Sequence, residues 1–403
     1  MIRPVSGCGH EGRVGSQVSR VQSPEADRRV SREVLDYDAA MWRRMRDDWD
    51  RLASLPGVGS AFTSTTWVDA WMEVFGARYQ PTGVLWKDPD RRVVGCALLP
   101  TESRYLGPFA VRTAYLNASG PTGAFCEHND VMVEPQYRGT VLADLVASVL
   151  GRKDLDELAL IGIREAAADE IGSLWPAESW RGFLSESPYV ALDALRAKGS
   201  DYLSELSRNT RSQVRRSIRL YQQQYGSPSV EVSRSAQEAS EWFEQLVELH
   251  KASWRARGED GVFSPDARAF HVRLIDRCHG ADTGGLRATL LRIRFGRETI
   301  GVLYFLEHGR RVNFYQSGLV YEQHPRAKPG MVAHALAVQH YLGTGASEYD
   351  FLGGEPGSVR YKCSLATNVR FLAWHDLPAP KARNRLIARL RQIRDRLSNR
   401  RSA

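Results

Sequence analysis

Arg311-Val-Asn-Phe-Tyr315-Gln-Ser-Gly-Leu319, followed ten residues later by Pro329-Gly330-Met331, is the stretch on which the fold turns. The first part has the composition of a half-buried strand, and the second opens an apolar run, Met331–Leu342, with the length of a helix. Upstream, Leu286–Phe295 and Thr299–Glu307 carry the same β character. Gly296-Arg297 and Gly309-Arg310 link the three runs tightly, which predicts an antiparallel meander. Its third strand runs into a loop, Val320–Pro329, that delivers Gly330 to a helix start. Unpaired N–H groups and the positive end of the helix dipole make such a start a seat for pyrophosphate. Gly330 lets a phosphate approach the backbone, and Arg326 and Lys328 add charge. Pro and Gly also open ordinary helices; the position directly after a meander favours the functional reading.

Working outward, Ser235–Ala256 and Pro265–Cys278 read as amphipathic helices before the meander. After it come a strand Glu348–Leu352, the turn Gly353-Gly354-Glu355, the pair Tyr361-Lys362 and a last strand Val369–His375. The first half alternates likewise. Helices are expected at Asp38–Leu55, at Thr65–Phe75 (capped by Ser64) and at Leu142–Leu150. Strands are expected at Thr82–Lys87, Arg92–Leu99 and Leu158–Ile163. Between the halves, Tyr202–Tyr225 reads as one helix ending at Gly226, with a strand Ser229–Ser233 behind it. Such alternation indicates an α/β fold, and 403 residues exceed what one core serves. The expected division is a disordered leader over 1–33, an N-terminal domain over 34–195, a C-terminal domain over 196–378 and a basic amphipathic helix over 379–403.

Charge narrows the function. Lys and Arg number 55 against 47 Asp and Glu, a net +8. Residues 381–403 hold nine basic groups against Asp395 alone, so residues 1–380 are balanced at 46 of each. A neutral body argues against a nucleic-acid-binding protein. In the tail, Leu386, Leu390, Ile393 and Leu397 form a narrow apolar stripe, suited to an anionic membrane face, a partner protein or back-packing on the body. Five scattered cysteines without a C-x-x-C pair give neither a disulfide framework nor a zinc ribbon. With no apolar run of spanning length and no secretory h-region, the expected location is cytoplasmic, with the tail allowing a peripheral position at the inner face of the membrane.

Arg208-Asn-Thr-Arg211, Arg215-Arg216 and Arg219, then the meander, Lys328-Pro-Gly330, Tyr349-Asp-Phe-Leu-Gly-Gly354 and Tyr361-Lys362 together resemble the FemAB-like branch of the GNAT acyltransferase superfamily. The nearest group is the acetyltransferases involved in cellulose or exopolysaccharide biosynthesis. The resemblance covers about Leu52 to Asp376 and implies tandem GNAT-like domains, mixed central sheets flanked by helices, with the better preserved donor site in the second. It implies an acyl-CoA co-substrate, acetyl-CoA foremost, and no metal. The usual donor loop, Q/R-x-x-G-x-G/A, survives only as Arg326-Ala-Lys-Pro-Gly330-Met331, so Arg326, Lys328, Pro329, Gly330 and Met331 are the expected donor contacts.

A base for an amine acceptor must titrate near neutrality. Glu355, in a Gly-rich turn, is the expected base, with His324 and Asp350 behind it. Asp350, on an apolar strand, is expected first of all to brace a neighbouring loop. Tyr361 has the hydroxyl to protonate a departing thiolate, and Lys362 the charge to hold a phosphate or oxyanion. Tyr315 and Gln316 lie on the strand expected to receive the acyl arm, and alternation lets only one of them face it. Positions 208, 211, 215 and 219 form an acid-free stripe, which makes Arg211 and Arg215 candidates for a phosphate-bearing acceptor; pairing with acids of the same chain is the alternative.

The expected activity is direct acyl transfer from acyl-CoA to an amine or hydroxyl on a saccharide, nucleotide sugar or lipid-linked glycan. A Fem-like transferase using aminoacyl-tRNA is the first alternative, the one setting in which nucleic acid is a partner. A non-catalytic scaffold or glycan-binding member of the fold is the second.

Overall fold

The computed structural model describes residues 29–106, 108–176, 181–255, 258, 261–280, 285–321, 324, 326–354 and 360–387. The first half runs β1 (Ser31–Leu35), α1 (Met41–Ala53), α2 (Thr65–Tyr79), β2 (Thr82–Lys87), β3 (Val93–Leu99), β4 (Thr101–Leu106), β5 (Phe109–Tyr115), β6 (Met132–Val133), α3 (Arg138–Gly151), β7 (Glu157–Arg164), α4 (Glu165–Leu174) and β8 (Arg181–Ala191). Three helices form the junction: α5 (Leu192–Lys198), α6 (Tyr202–Glu205) and α7 (Arg208–Tyr225). The second half runs β9 (Pro228–Val232), α8 (Ala236–Arg255), α9 (Pro265–Cys278), β10 (Leu286–Phe295), β11 (Glu298–His308), β12 (Arg311–Leu319), α10 (Pro329–Leu342), β13 (Glu348–Asp350), α11 (Arg360–Leu365) and β14 (Asn368–Pro378).

Local chemistry explains most boundaries. The Ser64 hydroxyl accepts the Trp67 N–H at the start of α2, and Ser264 accepts that of Ala267 at the start of α9, with Pro265 at the first helical position. Gly296 and Gly309 turn the meander with φ of +53° and +59°. One expected helix is in fact two. Leu206 is extended and Ser207 caps a new start by accepting the Thr210 N–H, so Tyr202–Tyr225 divides into α6 and α7. The expected leader is also shorter than 1–33, because Ser31–Leu35 pairs antiparallel with β2; residues 1–28 lie outside the described residues.

The described residues form two sheets. A small one has the order β1-β2-β3-β6, and a ten-stranded one has β4-β5-β7-β14-β8-β13-β12-β11-β10-β9. The large sheet holds two copies of one motif. In each, two parallel strands joined through a helix pair over three residues and then part: Thr113–Tyr115 with Glu157–Ala159 around α3, and Arg311–Asn313 with Glu348–Asp350 around α10. This is the expected tandem GNAT-like arrangement. The halves are interleaved, since β14 lies between β7 and β8, and β8 pairs with β13.

Three cores fill the layers. The largest joins α1 and α2 to α8 and α9 through the buried side chains of Trp49, Trp67, Trp71, Phe75, Phe243 and Phe270. Truncating one such aromatic costs roughly 3–5 kcal/mol, so this shared layer ties the halves together. The second core lies beneath α5–α7 and α10, and the third beneath α3 and α4. The tail begins by docking on the body. Arg383 pairs with Asp156, the Asn384 amide donates to the Asp156 carbonyl at 2.7 Å, and Ile387 is buried. Lys381 and Arg383 are thus already engaged by the body, and the tail's remaining residues, 388–403, lie outside the described residues. No helix among the described residues is long and apolar enough to cross a membrane.

Candidate active site

The parting of β12 and β13 leaves a V between their upper ends. On one arm, Tyr304 faces Gln316 and Phe305 faces Phe314, so Tyr315 is the extra residue of a β-bulge. At this bulge the Tyr315 ring packs on His271 of α9 at 4.6 Å and on Tyr304 of β11 at 5.5 Å between ring centroids. Gln316 accepts the N–H of its neighbour Ser317.

At the open side of the V, beside the end of β12, is the start of α10. The Lys328 N–H donates to Ser217 Oγ of α7 at 2.8 Å, and Val332 is the first N–H to bond inside the turn, to the Lys328 carbonyl. Among the described residues the N–H groups of Gly330 and Met331 bond to nothing. A Cβ added to Gly330 would meet only Leu319 Cδ1, at 3.4 Å, so the approach is open. Pro329 is buried, while Arg326 and Lys328 are exposed. Arg326, Lys328, Pro329, Gly330 and Met331 thus surround the helix-start N–H donors.

The other wall comes from the far half of the chain. Residues 125–128 cross the V and are tied to both arms. The Phe125 N–H donates to the Tyr315 hydroxyl at 2.9 Å, and the Gly353 N–H donates to Glu127 Oε2 at 2.7 Å. His128 Nε2 lies 2.9 Å from Asp350 Oδ2. His128 and Leu352 both have left-handed backbones, with φ of +50° and +57°. Such conformations cost non-glycine residues about 1–3 kcal/mol each and persist where the surroundings over-determine them.

Glu127 is the residue that sequence reasoning missed. It is 5% exposed, and burial raises its carboxyl to about 7, partly opposed by the Gly353 N–H and the Lys362 charge. Half-buried Lys362, on α11, turns its ammonium onto the carbonyl oxygens of Leu352 and Gly353 at 3.3 and 3.1 Å. Burial lowers its pKa, while Glu127 and Asp350 raise it. The dense titratable run Cys126-Glu-His-Asn-Asp130 inside a loop was the available signal.

Asp350 takes the bracing role. It is fully buried, and besides His128 it accepts from Ser187 Oγ at 3.2 Å and from the Leu352 N–H at 2.8 Å. Burial alone would raise its pKa, but the His128 contact and the charges of Arg370 and Arg311 hold it well below the usual carboxylate range. With its oxygens taken and its ionised form so favoured, Asp350 is not the proton acceptor. The Tyr361 residue is 42% exposed beside Lys362, its ring 6.1 Å from that of His334 on α10. His324 is exposed and accepts the Arg326 N–H. Glu355 lies outside the described residues.

Arg211 and Arg215 are not brought to the V. The buried face of α7 is Thr210, Val214, Ser217 and Tyr221, and the Arg stripe follows the opposite side. Arg211 donates to the Ser204 carbonyl at 3.1 Å, and Arg215 stands 3.9 Å from Asp201. These contacts fit the alternative of pairing within the chain.

Comparison with known proteins agrees with this geometry. Residues 208–362 match the family model of the acetyltransferase (GNAT) domain. No curated protein matches the chain. Among solved structures, FemX is similar at 10% identity and a TM-score of 0.54, over 82% of this chain and 95% of that one. A conserved protein of unknown function from Bacteroides thetaiotaomicron is similar at 10% identity and a TM-score of 0.51, over 83% of this chain and 97% of that one. The fold is thus shared with FemX, and the match of residues 208–362 to the GNAT acetyltransferase domain supports an acyltransferase.

Proposed function

We propose that the chain transfers an acyl group from acyl-CoA, acetyl-CoA foremost, directly to an amine on a saccharide, nucleotide sugar or lipid-linked glycan, with a hydroxyl as the second choice of acceptor. The observation that carries the reading is Glu127, a buried carboxyl titrating near 7 across the V from an open helix start. The donor pyrophosphate lies on the N–H groups of Gly330 and Met331, with Arg326 and Lys328 adding charge. The pantetheine arm passes between β12 and β13. Ionised Glu127 takes a proton from the acceptor amine as its nitrogen attacks the thioester carbonyl. The tetrahedral intermediate collapses with cleavage of the C–S bond, and the leaving thiolate takes the Tyr361 proton. Tyr361 is then reprotonated from solvent and Glu127 releases its proton, so that amide and free thiol are the products. Lys362 supplies a fixed positive charge beside the developing negative charge.

Aminoacyl-tRNA as donor is the second reading. It draws on the likeness to FemX and on exposed Arg208, Arg216 and Arg219, which have no ion pair among the described residues. A scaffold role is less well supported, because the approach to Gly330 is open. A place in polysaccharide synthesis at the inner face of the membrane belongs to the same proposal and draws on the basic tail. The test is thermal unfolding with a panel of acyl-CoAs and with deacylated tRNA. Stabilisation by a short acyl-CoA, lost in Gly330→Glu, supports the first reading; stabilisation by tRNA alone selects the second.

A further inference from the structure

Across the strand pair β8–β14, Trp374 stands directly opposite Phe183, so both side chains leave the same face of the sheet. Their rings are stacked, with centroids 5.4 Å apart and planes within 8°. Trp374 is half-buried beneath the pair, and Phe183 remains 37% exposed. Scattered exposed apolar residues need no explanation; the location of this pair gives it meaning. Trp374 packs on the residue that holds the base. A Cβ on Gly353 would lie 3.3 Å from Trp374 Cη2, and the Gly353 N–H is the one that donates to Glu127. Ser185, two residues from Phe183, fixes the same turn by donating to the Gly354 carbonyl at 2.7 Å. The face is also the one on which Ser187 and His128 reach Asp350. A two-ring aromatic step therefore adjoins the turn that orients the carboxylate.

The geometry points to this step as a recognition platform for a saccharide ring of the acceptor, seated on the outer face of Phe183 with its substituents turned toward Glu127. A pyranose with equatorial substituents has one face of axial C–H bonds, and these meet the negative face of an aromatic ring favourably. Its amine and hydroxyl groups project from the rim, where a carboxylate receives them. Trp374 beneath stiffens Phe183 and presents it flat, so little side-chain freedom is lost on binding. A long aliphatic or peptide acceptor would gain little from one flat ring beside a polar turn. This assignment deepens the proposed reaction and rests on Glu127 lying on the acceptor side.

Saturation-transfer NMR on the full chain tests it, with glucosamine and UMP as separate probes, on wild type, Phe183→Ala and Phe183→Tyr. The expected result is saturation of the glucosamine ring protons, strongest at the axial positions, lost in Phe183→Ala and kept in Phe183→Tyr. Saturation that is equal in Phe183→Ala, absent in wild type, or confined to the uracil of UMP overturns the platform. The acetyl-CoA thermal shift is measured on the same three proteins and should not change among them, which confirms that each is folded. A Phe183-dependent sugar signal without any acetyl-CoA shift would keep the platform and remove the acyl-CoA reading, so the two ideas fail separately.

Discussion

The two V-shaped openings in the large sheet were built on the same plan and are used differently. In the N-terminal copy, the chain after β5 turns at Asn117, a left-handed residue at φ +58°, and comes back to fill its own opening. The Asn129 N–H donates to the Gly162 carbonyl and pairs beside Ile163 in parallel register, in the place a ligand arm would take. The Asn117 amide donates to Asn129 Oδ1 and to the Asp130 carbonyl, and the Asn129 amide donates to the Leu116 carbonyl. Asp130, buried beside α3, takes Arg138 and Arg164. In the C-terminal copy no strand among the described residues pairs into the gap between β12 and β13 beyond Asn313 and Asp350. The plug of the first opening supplies the wall of the second: Phe125, Glu127 and His128 are its outer end. One opening is filled by its own chain, and the filling segment delivers a carboxylate to the other.

Paired variants put that contrast to the test. Gly330→Glu sets a carboxylate where the proposed donor phosphate would lie and should abolish the acetyl-CoA thermal shift, whereas Gly139→Glu, at the exposed start of α3, should leave it unchanged. Equal loss in both would mean that the N-terminal opening also serves the donor. Glu127→Gln should lower kcat by about 10²–10³-fold, with donor affinity kept, and should remove an acid limb near pH 7 from the rate profile. A wild-type profile that is flat from pH 6 to 8 would deprive Glu127 of its role.

The same carboxyl has a stability consequence of opposite sign. Its folded pKa is raised from 4.5 to about 7, so the folded state binds the proton more tightly and loses stability as pH climbs through that window. The loss is on the order of 3 kcal/mol and is fully present above pH 7. Glu127→Gln should accordingly raise Tm at pH 8 and leave it nearly unchanged at pH 4. Asn117→Ala removes three hydrogen bonds of the plug, two donated and one accepted from the Leu98 N–H. It should destabilise by about 2 kcal/mol without creating a second donor site, as calorimetric stoichiometry would show. Lys362→Met withdraws a charge that holds the Glu127 pKa down, so the acid limb should move to higher pH; a downward move would contradict the pairing.

These contrasts also explain what the sequence could convey. The donor half of the site is local: strand, loop and helix follow one another within Arg311–Leu342, and their periodicities and glycines are visible in order. The acid half is not. Glu127 reaches Gly353 across 226 positions, and its proton affinity is set by burial, which no local pattern encodes. Helix α9 and strands β10 and β12 match their expected limits because period and turn residues agree there. Strand β8 escaped notice because Arg181-Gly-Phe-Leu-Ser-Glu-Ser187 lacks an alternating pattern and Pro188 sits within it, signals that ordinarily demote a strand. The β4–β5 hairpin was hidden in the same way, by Thr101-Glu-Ser-Arg104 at a sheet edge. The acid-free Arg stripe showed its composition plainly but not its direction, which depends on the packed face of α7.

The position of β14 bears on how the protein is made. Its eleven residues, Asn368–Pro378, are translated after every other strand, yet they slot between β7 and β8, in the middle of the finished sheet. Until they leave the ribosome, β7 and β8 each present an unpaired edge, and some 200 residues of nascent chain separate them from their partner. The N-terminal unit cannot complete its hydrogen bonding co-translationally, and closing so distant a contact is slow. A stop codon or nick shortly before residue 368 would therefore damage the oldest part of the molecule as much as the newest, leaving two open edges for a chaperone to guard.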